Sequence, residues 1–593
     1  MGLLHRLNTL ESTGLIRLAT AQPDLEYLFR HALVQDAAYS SLVKQDRRRL
    51  HRAVGEALER MYPDRVDTLA PLLAQHFDAA GERQRALKYF TLAGDQAARQ
   101  YANAEAGVHY TRALELARAP LTLPDLEVDR LVHLYVGLGR VLQLSGRHEA
   151  ALATYAEMES LARARGDRSL ELAALMERAT VHATLTPLQD AALAGKILKQ
   201  ALALAQALGD RQAEAKVYWN LMLVELYGGT TYQAVAYGEK SLALARRLGM
   251  REQLAFTLND LGTSYLFVGQ VKRGWAALRE VSELWRELGN LPMLSDSLSN
   301  STLVCNYLGE YDEALRLGQE AVQISQSIGN RWGQSHALGM LGYTYQEIGW
   351  LGDTVAAWES SVQLGGESGL TSTQIGIRAD LAWVYGYLGM REHALELARL
   401  ALDQADMLLP MWRPWAVANL ARLLLLNGEV AAAENLLRTG CQGRVLDHFS
   451  RLLISGAVAI PLAQGELALA RQDAARAISL MEELLTHLRN IGVQTFVADA
   501  LHLKGRAFQA QGEVDRAYAT LAEGRAQAES LGSRRSLWPI LVALSEVEAQ
   551  RGNRMEAQAL RDQARAIIEY IAGHIQAPDL RASFLARPDL PGL

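Results

Sequence analysis

Glycine recurs about every 40 residues through the middle of this 593-residue chain, and this period constrains the fold more than any other feature. One series comprises Gly229, Gly269, Gly309, Gly349 and Gly389, with Gly428 following one position short of a full period. A second series, offset by half a period, comprises Gly209, Gly249, Gly289, Gly329 and Gly369. A fixed period of about 20–50 residues indicates a repeat architecture, so we predict a unit of helix, glycine turn, helix and glycine turn.

The segments between the glycines have the pattern of amphipathic helices. Over residues 258–290, apolar side chains recur at three- and four-residue spacing, which places them on one face of a helix. The chain has only 14 prolines and 7% aromatic residues, a composition that favours helix and excludes an all-β or collagen-like fold. One helix pair cannot bury its apolar face alone, so neighbouring pairs must stack, and we predict an all-α solenoid.

The repeats resemble tetratricopeptide (TPR) repeats, which carry Leu-Gly and Tyr on the first helix, a turn glycine, and Ala with a large residue on the second. The matching residues are Leu138, Gly139, Gly146, Ala151 and Tyr155; Leu261, Gly262, Tyr265 and Gly269; Leu341, Gly342, Tyr345, Gly349 and Trp358; and Leu381, Tyr385, Gly389 and Ala394. The pattern departs at Cys305, which takes the tyrosine position, and at Arg471, which replaces a turn glycine. The resemblance implies a TPR-type right-handed superhelix whose period is longer than the usual length of about 34 residues.

The TPR pattern divides the chain into four regions. We predict the superhelix over residues 125–573, with about eleven helix pairs that follow the glycine period. Looser TPR-like helices and a linker occupy residues 67–124, and residues 574–593 form a C-terminal tail. Residues 1–66 do not keep the register of the glycine period and are treated separately.

Residues 1–66 predict a short helix at 5–12, two strands at 14–20 and 25–30 joined by a turn at 21–24, and further helices. This order resembles the end of a winged-helix domain. Residues 29–59 and 73–97 resemble the join between nucleotide-binding and TPR regions in bacterial signal-transduction ATPases with numerous domains. That group includes class III adenylate/guanylate cyclases with ATPase and TPR domains. The resemblance implies a family and no activity for this chain.

No sequence signature of an enzyme accompanies this resemblance. A P-loop requires GxxxxGK followed by Ser or Thr, whereas the only Gly-Lys pair, Gly195-Lys196, precedes Ile197 in a helical stretch. His148-Glu149 begins a zinc-protease-like pattern that Leu152 breaks, and there is no GxSxG. We therefore predict no catalytic residue, no cofactor and no metal site.

The charge and the cysteines indicate the setting. With 60 basic and 66 acidic residues the net charge is −6, so nucleic acid is not an expected partner. The two cysteines belong to no CxxC or Cys/His motif, and no apolar run of about 18 residues could cross a membrane. We expect an intracellular, cytoplasmic protein.

Isolated polar residues have a functional and a structural interpretation, and the structural one is favoured in each case. The run Arg47–Arg49 with Arg52 could grip phosphate, but pairing with Asp46 and Glu56 on a solvated helix face is favoured. Packing and hydrogen bonding are favoured over metal ligation or switching for His31 and His51. Small buried or loop residues are favoured over redox chemistry for Cys305, and for Cys441 between Arg438 and Arg444.

The most informative functional surface follows from TPR geometry, in which the first helix of each pair lines the concave groove. Mixed aromatic and amide side chains on such a wall are typical of protein or peptide recognition, although several could instead pack between repeats. The predicted groove residues are Lys216, Trp219, Tyr227, Phe256, Asn259, Asp296, Asn306, Tyr307, His336, Tyr343, Gln346, Trp383 and Tyr387.

Three functional interpretations are compatible with these features. The favoured one is a non-enzymatic, protein-binding TPR module that acts as the regulatory or sensor arm of a bacterial signalling ATPase or cyclase-type regulator. It would bind a partner protein, or the NTPase domain of its own system, in the concave groove. The second is the inducer-sensing arm of a transcriptional regulator, with a small-molecule ligand. The third is a fragment of an ATP-binding cyclase-family protein without its catalytic domains.

Overall fold

The computed structural model describes residues 2–20, 26–118, 128–184, 186–228, 230–441, 449, 452–587 and 590. The predicted turn at 21–24 and Gly229 lie outside the described residues. The chain divides into two compact units, Met1–Leu170 and Glu171–Leu593. Nearly all the described residues belong to helices, which follow one another in consecutive pairs, so the predicted α-solenoid is confirmed.

The first unit begins with the predicted short helix and two strands and continues as helices. The strands are antiparallel, with Ile16 opposite Phe29 and Arg17 opposite Leu28. The elements are α1 (Leu3–Ser12), β1 (Ile16–Thr20), β2 (Glu26–Phe29), α2 (Ala32–Ser41), α3 (Lys44–Met61), α4 (Ala70–Ala80), α5 (Arg83–Arg99), α6 (Asn103–Arg118), α7 (Val128–Leu144) and α8 (His148–Arg165). A short 3₁₀ turn, Pro63–Arg65, separates α3 from α4.

The start of the first unit buries very little of its own surface. Among the described residues of 1–66, only Ile16 and Gly55 are buried, and α2 contains no buried residue. The side chains of Leu33, Val43 and Met61 are 82%, 63% and 65% exposed. A compact core begins with α4 and α5, where the ring of Phe77 stacks on that of Tyr89.

The second unit consists of helix pairs and begins at Glu171, in the first turn of α9. Its elements are α9 (Arg168–Ala183), α10 (Ala191–Leu208), α11 (Arg211–Gly228), α12 (Thr231–Leu248), α13 (Arg251–Phe267), α14 (Val271–Leu288), α15 (Leu291–Leu308), α16 (Tyr311–Ser327), α17 (Arg331–Ile348), α18 (Leu351–Ser368), α19 (Arg378–Tyr387), α20 (Arg391–Leu408), α21 (Arg413–Leu426), α22 (Val430–Gly440), α23 (Ile454–Ala470), α24 (Ala474–Ile491), α25 (Val497–Ala510), α26 (Val514–Leu531), α27 (Arg534–Gln550), α28 (Arg554–Gly573) and α29 (Pro578–Leu585). A π-helical turn, Thr373–Ile377, leads into α19, and a 3₁₀ turn, Pro410–Trp412, precedes α21.

The turn glycines end helices in the left-handed conformation. At Gly309 the φ angle is +78°, and the N–H groups of Gly309 and Glu310 donate to carbonyls in the last turn of α15 at 3.1 and 2.9 Å. Where Arg471 replaces a turn glycine, the neighbouring Gln472 takes the left-handed conformation instead, with φ +62°. The turn geometry is therefore kept at a residue that adopts it less readily than glycine.

Glycine also lets the two helices of a pair approach closely. A Cβ atom at Gly342 of α17 would lie 2.1 Å from Nε1 of Trp358, a fully buried side chain of α18. That indole N–H donates to the carbonyl of Gly339 at 2.9 Å, so the ring is fixed in place. The TPR glycine and the large residue on the second helix thus form one packing unit.

The second unit coils until its later helices lie against its earlier ones. Ile491 packs over Gly269, Leu531 over Gly309 and Ile571 over Gly349, and the partners in every pair are more than five repeats apart in the sequence. We call this contact between one full turn of the solenoid and the next the turn-to-turn contact. One side comprises α13 to α19, and the other comprises the chain from Ile491 to Arg587. The repeats therefore pack on distant repeats as well as on their neighbours.

No helix within the described ranges is long and apolar enough to cross a membrane.

Candidate functional site

The first helices of the pairs form the inner layer of the second unit. The helices α11 and α13, α15 and α17, α19 and α21, and α25 and α27 contact one another in addition to their own partners in the pair. No comparable contact joins successive second helices in the described part of the chain. Polar residues on the first helices consequently lie between neighbouring repeats.

Two carboxylates form the centre of an inner polar surface on α11, α13, α15 and α17. The indole Nε1 of Trp219 donates to Oδ2 of Asp260 at 2.7 Å. The amide Nδ2 of Asn259 donates to Oδ2 of Asp296 at 2.7 Å and to Oδ1 of Asp260 at 3.2 Å. His336 Nδ1 lies 3.7 Å from the other oxygen of Asp296. The acidic–aromatic surface, as we name it, comprises Trp219, Tyr227, Phe256, Asn259, Asp260, Asp296 and His336.

The carboxylates of this surface have no cationic partner. No Lys or Arg in the described chain forms an ion pair with Asp260 or Asp296. Burial, with a smaller contribution from the charge of Asp296, raises the pKa of Asp260 to about 7. Burial also lowers the pKa of His336, so its imidazole is neutral at pH 7 and does not compensate the carboxylates. Asp260 and Asp296 are both half-buried, and the Asp296 side chain is 14% exposed.

Aromatic rings stand beside the two carboxylates. Phe256 lies between Trp219 and Trp285, with ring centroids 5.5 and 5.0 Å away. Burial raises the pKa of the Tyr227 hydroxyl, and the charges of Asp260 and Asp296 raise it further. Negative charge beside aromatic faces is an environment that attracts organic cations.

A cavity of about 70 Å³ lies beside the turn-to-turn contact and is lined by residues of α15, α17, α19, α21, α23, α25 and α27. Its polar wall includes Asn306, Tyr343, Asp380, Arg422 and Arg535, and its apolar wall includes Leu303, Val458, Ala459, Leu462 and Phe496. We call it the turn cavity.

Every charged group of the turn cavity is paired within the protein. Asp380 accepts hydrogen bonds from Tyr343, Trp415 and Asn419 at 2.6, 2.9 and 2.8 Å, while burial raises its pKa to about 6. The guanidinium of Arg422 stacks 3.7 Å above the Trp383 ring and donates to both oxygens of Glu466.

A buried ion triad joins the two sides of the turn-to-turn contact. The Arg535 guanidinium donates to Oε1 of Glu347 at 2.8 Å and to both oxygens of Asp499 at 2.8 Å each. The hydroxyl of Ser533 donates to the second oxygen of Glu347 at 2.7 Å. Burial raises the pKa of Glu347, whereas the guanidinium lowers that of Asp499 below its ordinary value. Beside the triad, the N–H of Gln494 donates to the Tyr307 carbonyl at 2.8 Å.

The predicted groove residues fall into three places. Trp219, Tyr227, Phe256, Asn259, Asp296 and His336 belong to the acidic–aromatic surface. Asn306, Tyr307, Tyr343, Gln346 and Trp383 line the turn cavity. Lys216 pairs with Glu177, and Tyr387 packs against Trp538 and Phe584 of the turn-to-turn contact.

Several residues of these sites are absent from the sequence-based prediction. Asp260 and Asp380 occupy the same position in repeats three periods apart, and this periodicity could have identified them. Arg422, Asp499 and Arg535 carry no such signal. Asp499 and Arg535 meet Glu347 only through the contact between distant repeats, whereas the partners of Arg422, Trp383 and Glu466, lie about one repeat away.

The remaining candidate residues have structural surroundings. Cys305 and Cys441 are buried, and burial raises the thiol pKa of Cys441 to about 12, so the nearby arginines do not produce a thiolate. Arg444 lies outside the described residues. Arg49 pairs with Asp46 and Arg52 with Glu82. His51 bridges Tyr39 and His76 at 3.0 and 2.9 Å, and His31 precedes α2. Within the described ranges, no group of His, Cys, Asp or Glu is placed to hold a metal ion.

No family model matches this chain. An uncharacterized protein of Rhizobium meliloti (strain 1021) is 30% identical over 142 residues, which are 24% of this chain. The chain spans only 14% of the length of that relative.

Three solved structures resemble the chain at low identity. A signal transduction ATPase with numerous domains and a TPR sensor, from Pyrococcus horikoshii, is 15% identical with a TM-score of 0.41, covering 74% of this chain and 61% of that one. A Rap protein complexed with competence and sporulation factor is 14% identical with a TM-score of 0.38, covering 58% and 99%. Aspartyl phosphate phosphatase F from Bacillus subtilis is 12% identical with a TM-score of 0.38, covering 63% and 95%. At this level of identity the similarity concerns the fold alone.

Proposed function

We propose that this chain is a non-enzymatic, protein-binding TPR module whose concave acidic–aromatic surface holds a partner segment through a basic residue. The observation that carries the proposal is the pair of half-buried carboxylates, Asp260 and Asp296, that lack a cationic partner among the described residues. Burial and the charge of Asp296 raise the pKa of Asp260 to about 7, and a cation between the two groups would favour the ionised form of both.

A lysine or arginine of a peptide supplies the complementary chemistry. Its charge would interact with both carboxylates, and its stem would lie along the rings of Trp219, Tyr227 and Phe256. Charge-assisted hydrogen bonds are stronger than neutral ones, so this contact would contribute strongly to affinity.

The proposal is tested by probing a peptide array with the full-length chain and measuring which peptides bind. We expect bound peptides to be enriched in Lys or Arg and the Asp260→Asn/Asp296→Asn variant to lose at least about tenfold in their affinity. The matched control is Glu280→Gln/Glu283→Gln, which makes the same charge change on exposed positions of α14 and should leave affinity unchanged. Equal losses in both variants, or no enrichment of basic residues, would refute the proposal.

We further propose that the module is the regulatory arm of a bacterial signalling ATPase or cyclase-type regulator and works in the cytoplasm. The exposed apolar side chains of α2 and α3, including Leu33, Val43 and Met61, support this context because a neighbouring domain would remove them from water. Isothermal titration with Mg-ATP tests the non-enzymatic part: we expect no heat of binding from the purified chain, and saturable binding would contradict it.

Sensing of a small-molecule inducer is the second candidate function. The turn cavity supports it, because this partly open site of about 70 Å³ is lined by both polar and apolar side chains. The third interpretation, a cyclase-family fragment without its catalytic domains, makes the same predictions for the described residues as the regulatory arm.

A further inference from the structure

The turn cavity contains a polar side chain that nothing in the described chain satisfies. Asn306 is 2% exposed and lines the cavity, yet neither its Oδ1 nor its Nδ2 has a hydrogen-bond partner there. A buried amide left without partners is costly, because folding removes its hydrogen bonds to water without replacing them. A ligand group that both donates and accepts hydrogen bonds would therefore satisfy the Asn306 amide.

The charged residues of the cavity exclude an ionic ligand. Arg422 is held by Glu466, Arg535 by Glu347 and Asp499, and Asp380 accepts three hydrogen bonds. A charged ligand would have to displace one of these buried pairs and leave its partner uncompensated. A neutral ligand can instead use the Asn306 amide and the Ser455 hydroxyl, which also lacks a hydrogen-bond partner in the described chain.

The apolar side chains that line the cavity favour an apolar end on the same ligand. Leu303, Val458, Ala459, Leu462 and Phe496 offer no side-chain hydrogen-bonding group, so water molecules beside them would have few partners. A cavity of about 150 Å³ holds benzene, so the volume of about 70 Å³ corresponds to about three non-hydrogen atoms, close to the size of the smallest amides.

We propose that the turn cavity is a binding site for a small carboxamide, whose amide pairs with Asn306 and whose methyl or methylene end contacts the apolar wall. A primary carboxamide presents one acceptor and two donors, which match the donors and the acceptor of the asparagine side chain. The same group occurs on a free small amide and on the side chain of glutamine or asparagine in a peptide. The turn cavity is separate from the acidic–aromatic surface, so the carboxamide proposal does not depend on whether basic peptides bind to that surface.

Three isosteric probes test the proposal with the full chain. Acetamide, acetate and acetone have the same number of non-hydrogen atoms, and ligand-observed NMR titration measures the affinity of each. We expect acetamide to bind at least about tenfold more tightly than acetone, which lacks the donors, and than acetate, which is charged. Equal binding of the three probes, or a cavity that holds only ordered water in the presence of acetamide, overturns the proposal.

Two variants locate the binding. Asn306→Leu should abolish the preference for acetamide, and Ala459→Leu should abolish binding of all three probes by filling the apolar side while Asn306 remains. Unchanged acetamide affinity in the folded Ala459→Leu protein overturns the assignment to this cavity. A capped glutamine separates the two sources of the carboxamide: competition with acetamide indicates a peptide side chain, and its absence indicates a free small amide.

Discussion

The buried ion triad of Arg535, Glu347 and Asp499 offers a direct test of the turn-to-turn contact. Replacing Arg535 by Met would leave two facing carboxylates without their shared cation, in a site where the Glu347 side chain is only 5% exposed. Removing one partner of a buried ion pair costs about 3–5 kcal/mol, because the remaining charge stays buried and uncompensated. We expect Arg535→Met to lower the free energy of unfolding by that amount at pH 7.5.

The pH dependence of this loss follows from the same groups. In the variant both carboxylates would have raised pKa values, so the native state would bind protons at a higher pH than the unfolded state does. The variant therefore regains stability as the pH falls, and its deficit relative to the wild type should shrink between pH 7.5 and pH 5. Neutralising one carboxylate, as in Arg535→Met/Glu347→Gln, should restore part of the loss at pH 7.5.

Urea unfolding and hydrogen exchange provide the measurements. Exchange should accelerate in α25 and α27 and in the facing end of α17, because these elements meet at the triad. The control is Arg246→Met, which removes the exposed pair between Arg246 and Glu280 and should cost at most about 1 kcal/mol. If Arg535→Met costs no more than this control, the triad does not stabilise the turn-to-turn contact and the reasoning is refuted.

Three further outcomes are expected. Gly342→Ala should cost about 1–3 kcal/mol in urea unfolding because its Cβ would fall 2.1 Å from the fixed Trp358 indole, whereas Gly195→Ala, with 3.8 Å of clearance, should be neutral or stabilising. Gln472→Gly should raise the unfolding free energy by about 1 kcal/mol by relieving the left-handed conformation. In the wild type, the thermal stability should fall as the pH rises from about 4 to about 7, because the Asp260 carboxyl, with its raised pKa of about 7, binds more protons in the native than in the unfolded state over that range. Asp260→Asn should remove this fall.

Each of these outcomes can fail in a distinct way. Equal costs for the two glycine variants would mean that Trp358 moves aside. For Gln472, the reciprocal Gly512→Gln, at φ +77°, should lose about 1 kcal/mol, and no loss would contradict the role of the left-handed turn. For Asp260, thermal melting should show that the stability of Asp260→Asn relative to the wild type is higher at pH 8 than at pH 5. An unchanged dependence of stability on pH would mean that the Asp260 carboxyl titrates like one exposed to solvent.

The turn-to-turn contact changes how the inner surface of the solenoid can be used. Tyr307 and Tyr387, predicted to face an open groove, lie beside later helices that cover them. Asn259, Asp296 and His336 remain on the inner surface of earlier repeats. The acidic–aromatic surface and the turn cavity are consequently two different environments. The first is half-buried and acidic, and the second is lined by charged groups that are paired within the protein.

The sequence by itself determined the repeat. The glycine period requires a regular helix end at each turn, and Gly342 acts through its contact with Trp358 in its own repeat, so local pattern was sufficient to predict the α-solenoid. The same period could also have indicated Asp260, since it recurs as Asp380. An interaction between residues of one repeat can be predicted from the sequence of that repeat alone.

Only the tertiary structure decided which inner residues are open and which are covered. The curvature of a solenoid is the sum of small rotations between repeats, and a slight change in each one decides whether helices more than five repeats apart meet. The ion triad of Glu347, Asp499 and Arg535 depends on that sum, as does the turn cavity around Asn306. No local pattern encodes either site, because the residues that complete it belong to repeats that are neighbours only after the chain has coiled.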